Sequence, residues 1–137
     1  MVRFTQEQVD ELNSKISTTE EAIQWVSDNL HPKVAKASSF GAEDAVVMDI
    51  MLKINPKFRF FTLDTGRLPQ ETYDIMDVVR KKYNISIEVL FPDAKEVEDM
   101  VREKGMNLFY ESVENRKLCC EIRKVHPINK ILSTLDG

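Results

Sequence analysis

Long apolar runs are missing from this sequence. No stretch reaches the roughly 18 apolar residues that a membrane span needs, so a spanning helix is excluded and no membrane partner is expected. The apolar core of a secretory signal is also missing, since residues 1–8 are already polar and helical in character. A cytoplasmic location is therefore expected. Positive charge is not in excess: the formal net charge is −4. That argues against a general nucleic-acid binder, although a local basic patch can still hold a small anion. Cysteine is scarce, and the only two, Cys119 and Cys120, are adjacent. Sequence neighbours rarely bridge each other because the ring is strained. In a reducing compartment such a pair points to metal or redox work rather than a structural staple. There is no Walker A loop, no dinucleotide fingerprint, no internal repeat and no low-complexity tract. What is present reads as one soluble globular domain. The length of 137 residues, with 42% apolar and 31% charged, suffices to bury roughly two-thirds of the unfolded surface.

Local signals order the chain. Thr5 with Gln8 forms a capping-box pattern opening a helix to about Ser14, and Thr18 with Glu21 repeats it. Ala22, Ile23, Val26 and Leu30 follow at helical spacing, with Pro32 beyond the stop. Residues 1–31 thus form N-terminal helices ahead of a core over 33–137. Short apolar segments at 33–38, 58–63 and 85–91 predict buried parallel strands. Helical stretches are predicted over 42–54, 69–83 (with Pro69 as first helical residue) and 93–105, where Gly105 caps the end. Strands alternating with helices of this length imply βαβ units and a doubly wound parallel α/β sheet.

Two turns stand at the carboxyl ends of these strands, the edge where open α/β sheets bind ligands. The first is SSFGAED, residues 38–44. A helix N-terminus there offers free N–H groups and partial positive charge. Ser38 and Ser39 add hydroxyls, and Gly41 allows close backbone approach to an anion. A plain serine-capped turn fits the same residues. The second is TLDTGR, residues 62–67. Asp64 and Thr65 supply hydrogen-bonding groups, Gly66 is permissive, and Arg67 is a fork suited to phosphate. Asp-Thr-Gly alone is a weak signal, and the aspartic proteases that use it are all-β.

Taken with CCEIRKVHP at 119–127, the segments SSFGAED and LDTGRLPQETY (63–73) resemble the APS/PAPS reductase family, in its order and approximate spacing. The resemblance runs from about Val34 to the end of the chain. It implies the adenine nucleotide α-hydrolase-like fold with a modified PP-loop. It also implies thioredoxin-dependent reduction of adenylyl sulfate (APS) to sulfite and AMP in assimilatory sulfate reduction. By that resemblance Ser38, Ser39, Phe40, Gly41 and Asp44 belong to the loop that holds the sulfate or phosphate end. Thr62, Leu63, Asp64, Gly66 and Arg67 form the strand edge facing the adenosine, and Arg123 joins the substrate contacts. Lys124 is the cation expected to act on the sulfate during attack. Cys119 and Cys120 correspond to ligands of a [4Fe–4S] cluster, which takes four thiolates; the other two lie outside this sequence. The pair marks the APS branch. The family's Trp-x-Thr-Gly-x-Arg segment, its Cys-x-x-Cys pair and its mobile tail with the nucleophilic cysteine are not found here. A shortened chain is therefore expected, able to fold and bind nucleotide, with an apolar edge that favours homo-oligomers, but inactive alone.

Three alternatives stay open: a PAPS-specific reductase, a non-catalytic nucleotide-binding domain of the same fold, and an ATP-using adenylating enzyme. The last usually shows Ser-Gly-Gly-x-Asp-Ser in the loop, which SSFGAED replaces. The other conspicuous residues read as structure. Trp25 and Val26 pack a helix; Phe58, Phe60 and Phe61 form sheet core; Met48, Met51, Met76 and Met100 fill gaps. The acidic run 96–99 is a solvated face, and 107–114 is a loop or short helix closing the site. His31 lies in a loop, and His126, preceding Pro127, is biased toward extended backbone.

Overall fold

The computed structural model describes residues 4–137, so the part of the N-terminal reading that falls on 1–3 lies outside it. Both capping boxes form. Thr5 caps α1 (Gln6–Lys15) and Thr18 caps α2 (Thr19–Leu30), each with the reciprocal bond from the third helical residue. The alternating core follows as β1 (Ala35–Ala37), α3 (Ala42–Ile54), β2 (Arg59–Leu63), α4 (Gln70–Tyr83), β3 (Ile87–Leu90) and α5 (Ala94–Lys104). A 3₁₀ turn at Leu108–Tyr110 precedes α6 (Val113–Cys120), a π turn (Glu121–Val125) and α7 (His126–Leu132). Pro69 stands one residue outside α4, in extended conformation, as its N-cap. Among the described residues no helix is long and apolar enough to cross a membrane.

The three strands are parallel in the order β1-β2-β3. Two successive crossovers in one direction put their helices on one face, because βαβ units are right-handed. Phe58 and Phe60 meet that layer, with Met48 and Met51 of α3, Val79 of α4 and flanking residues of α2. Strand side chains alternate faces. Phe61 accordingly points the other way, onto Ile131 and Leu135 at the α7 end. Both faces are covered, which is why β2 is mostly apolar along its length. A third cluster joins Met100, Leu108, Cys119 and Ile122.

His126 departs from expectation. It is helical, at φ −60 and ψ −53, and opens α7. The π turn is the reason: the His126 N–H reaches back five residues to Glu121 O. A wider turn relieves the clash between a proline ring and the preceding turn, the clash that normally drives the residue before proline out of the helix.

Candidate functional site

Parallel pairing brings the ends of β1 and β2 to the same sheet edge. Past Ala37 the ladder continues for one bond, Ser38 N–H to Phe61 O at 2.9 Å. The chain then turns. The buried Ser38 hydroxyl accepts from Phe40 N–H at 3.1 Å and lies 3.6 Å from the Met48 sulfur. This turn holds Phe40 at φ 63, a left-handed conformation that costs a bulky residue about 1–3 kcal/mol. Its ring is buried in the core with Val34, Met48 and Met51. Phe40 thus turns its side chain away from the strand-end cavity and holds the loop from beneath. Gly41 sits at φ −66, a backbone conformation any residue adopts. The positive φ of this loop falls on Phe40 rather than on its glycine.

Ser39 and Asp44 face each other across the loop. Asp44 Oδ2 accepts the Ser39 N–H at 2.6 Å and its hydroxyl at 2.9 Å. Asp44 Oδ1 meets Lys36 Nζ at 2.5 Å. Burial, the largest single influence, pushes this carboxyl up. The hydrogen bonds from Lys36 and Ser39, with the Lys36 charge, outweigh it and bring it down to about 2. Both Ser39 donors expected to face an anion are committed to Asp44.

The second turn is an Asx turn. Asp64 Oδ1 accepts from Gly66 N–H at 2.8 Å and from the Tyr73 hydroxyl at 3.0 Å. Gly66 has φ 72, which requires glycine's freedom. Burial, then the hydrogen bond to Asp64, pushes the Tyr73 phenol up. Behind the turn, the buried Arg123 donates from Nη1 to Thr65 O at 2.6 Å, while its Nε is buried without a partner. The π turn delivers Arg123 to this position and projects the next residue, Lys124, to the other side.

A cavity of about 440 Å³ opens between the two turns. Ser38, Ser39, Asp44, Thr62, Leu63, Thr65 and Lys124 line it. Lys124 is exposed, and among the described residues no carboxylate pairs with it. One wall therefore offers hydroxyls and a compensated carboxylate, and the other an unpaired ammonium. Such a cavity suits a polar ligand with one anionic end. Asp64 faces a separate cavity of about 450 Å³ toward α4 and β3. The Arg67 guanidinium points elsewhere, to Met106 O at 3.0 Å, Asn107 Oδ1 at 3.2 Å and the Phe109 ring at 4.7 Å. It pins the 106–109 segment. Lys36 was not foreseen. Its one signal was a charge in the middle of a short strand.

Cys119 and Cys120 end α6. Cys119 is buried among Met100, Leu108 and Ile122, and Cys120 is half-buried. Among the described residues no three His, Cys, Asp or Glu side chains converge as a metal group. Two thiols on one helix turn fit half of a four-thiolate set and no more. His126 sits with Glu96 Oε2 at 2.9 Å from Nδ1 and Glu121 Oε1 at 3.5 Å from Nε2. The Glu96 hydrogen bond raises its pKa against partial desolvation, with help from both acidic charges.

A Burkholderia cepacia protein named adenosine 5'-phosphosulfate reductase is 41% identical over 93% of this chain and 50% of its own length. The Arabidopsis thaliana chloroplastic 5'-adenylylsulfate reductase 3 is 46% identical over 69% of this chain and 20% of its own. The chain thus spans half or less of the length of these relatives. The crystal structure of phosphoadenylyl-sulfate (PAPS) reductase from Candida auris, a phosphate complex, superposes with a TM-score of 0.78. It is 24% identical and covers 98% of this chain and 66% of that one, which establishes the shared fold. The sequence pattern of the phosphoadenosine phosphosulfate reductase domain matches residues 33–137, and the chain belongs to that family.

Proposed function

We propose that this chain holds adenylyl sulfate for reduction to sulfite and AMP, as the nucleotide-binding part of a thioredoxin-dependent reductase of assimilatory sulfate reduction. The observation that carries the proposal is the unpaired Lys124 ammonium on the wall of a hydroxyl-lined cavity at the strand ends. Lys124 sits where it can draw the sulfate end and stabilise charge developing on the leaving phosphate. Arg123 acts from behind by fixing Thr65. The family reaction has two steps. A cysteine thiolate attacks the sulfur, the S–O bond to AMP breaks, and cysteine S-sulfonate remains. A dithiol such as thioredoxin then attacks that cysteine sulfur and releases sulfite, ending as a disulfide. In this proposal the attacking cysteine is neither Cys119 nor Cys120.

The names of the relatives support APS over PAPS. So does Arg67, whose guanidinium is engaged by the 106–109 segment rather than free for a further phosphate. Cys119 and Cys120 would supply two of four thiolates to a [4Fe–4S] cluster, which when bound adds a fixed electrostatic element beside the site. A cytoplasmic location and homo-oligomer formation fit the same proposal.

Calorimetry of the chain with AMP and APS tests the site. Measurable binding of both, weakened in Ser39→Ala, is expected; equal affinity in both proteins removes Ser39 from the site. Anaerobic reconstitution of the intact reductase with iron and sulfide, compared with Cys119→Ser/Cys120→Ser, tests the ligands. A pair variant that retains the full iron content refutes them.

A further inference from the structure

The Asp44 carboxylate poses an electrostatic problem for an anion-binding cavity. It lines the same cavity as Lys124, among the described residues the one lysine or arginine lining that space. An uncompensated carboxylate there would offset the Lys124 charge across the cavity. Lys36, reaching over from β1, compensates it. The Lys36 side chain is about three-quarters buried, at 26% exposure, and its ammonium bridges Asp44 Oδ1 and the carbonyl of Ala37. The other Asp44 oxygen is filled by Ser39 N–H and hydroxyl. With three protein donor contacts on its two oxygens, Asp44 has little reason to move.

We propose that Lys36 is a positioning residue of this cavity: it clasps Asp44, so that Lys124 stays unpaired for an anion and Ser39 turns its proton away from the ligand. Ser39 then shows only lone pairs to the cavity, since its hydroxyl hydrogen is given to Asp44. The cavity is thereby polarised. Its Ser39–Asp44 end accepts hydrogen bonds, as sugar hydroxyls or amines would require, and its Lys124 end takes negative charge. The clasp also explains how an acidic residue tolerates this place. A carboxylate with 14% side-chain exposure needs a partner to stay ionised. The inference rests on the nucleotide assignment of the cavity.

The test compares AMP with adenosine, which differ by the charged group alone. Calorimetry is run on the wild-type chain, Lys36→Met, Lys36→Arg and the Lys36→Met/Asp44→Asn double variant. Carbon NMR follows the Asp44 carboxyl in the first three. In Lys36→Met, the preference for AMP over adenosine is expected to fall about tenfold, the size of a lost charge-assisted contact. Its Asp44 carboxyl should titrate about one unit or more higher. Lys36→Arg should keep the preference. The double variant should regain it, because Lys124 is no longer quenched. Loop damage alone would weaken AMP and adenosine together and would not be rescued by a second substitution, so that pattern overturns the proposal. An unchanged preference in Lys36→Met also overturns it. A wild-type chain that binds neither ligand overturns the nucleotide assignment instead. The clasp is then judged on the Asp44 titration, and an unmoved titration overturns it.

Discussion

Replacing Arg123 with methionine should leave the fold nearly as stable as before while loosening the site. Arg123 is 6% exposed, and among the described residues no carboxylate balances it. Its Nη1 bond to Thr65 O is the contact at risk, worth about 1.5–3 kcal/mol as a hydrogen bond from a charged group. Against that loss stand two gains. The unpartnered Nε no longer leaves a donor unmade, a penalty of about 1–3 kcal/mol. The buried cation, itself several kcal/mol unfavourable to desolvate, is gone. The net change for Arg123→Met is therefore within about 1 kcal/mol of zero. Arg123→Ala should lose about 2–3 kcal/mol more, because it leaves a void. Urea unfolding of the three proteins reads both numbers from midpoints at constant slope. In the same Met variant AMP affinity should fall about tenfold, because Thr65 lines the cavity and loses the bond that fixes its carbonyl. A loss above about 3 kcal/mol in Arg123→Met would mean that the guanidinium is fully paired in the fold, and the reasoning fails. Unchanged AMP binding would remove Arg123 from the site.

Lys124→Met should weaken AMP binding by about fivefold at low ionic strength, the value of one exposed charge contact in high dielectric, with the difference shrinking as salt rises. Calorimetry at two salt concentrations decides it, and a salt-independent difference would point to packing instead. Met48→Ala should destabilise by about 2–5 kcal/mol, since Met48 is 1% exposed at the centre of the α3 layer; a loss under about 1 kcal/mol in urea would place the core elsewhere. His126 has a raised folded pKa, so its contact with Glu96 stabilises most below the ordinary histidine value and fades as pH climbs through the raised one. The stability gap between wild type and His126→Gln should therefore be largest near about pH 6 and close by about pH 9. A gap that widens toward alkaline pH contradicts the pairing.

Local chemistry carried far in this chain. Capping boxes at Thr5 and Thr18, the Asp93 and Gly105 ends of α5 and the apolar run of β2 are short-range features, and each formed where its residues required. Alternation of strands and helices was enough for parallel order, and parallel order was enough to bring SSFGAED and LDTGR to one edge. The three motifs together were enough for the family. Tertiary structure decided which of these residues face the cavity. Phe40 lies in the site loop by sequence, yet the burial of its ring among Val34, Met48 and Met51 turns it inward and gives this non-glycine residue a positive φ. Arg67 looks like a phosphate fork, but Met106, Asn107 and Phe109 claim it from about forty residues away, a separation no local pattern can encode. Arg123 and Lys124 are indistinguishable as neighbours in sequence. Only the π turn, stretched to admit Pro127, rotates one behind Thr65 and the other onto the cavity wall. Lys36 was invisible for the same reason. Its meaning depends on Asp44, which reaches it only because strand and helix meet across the loop.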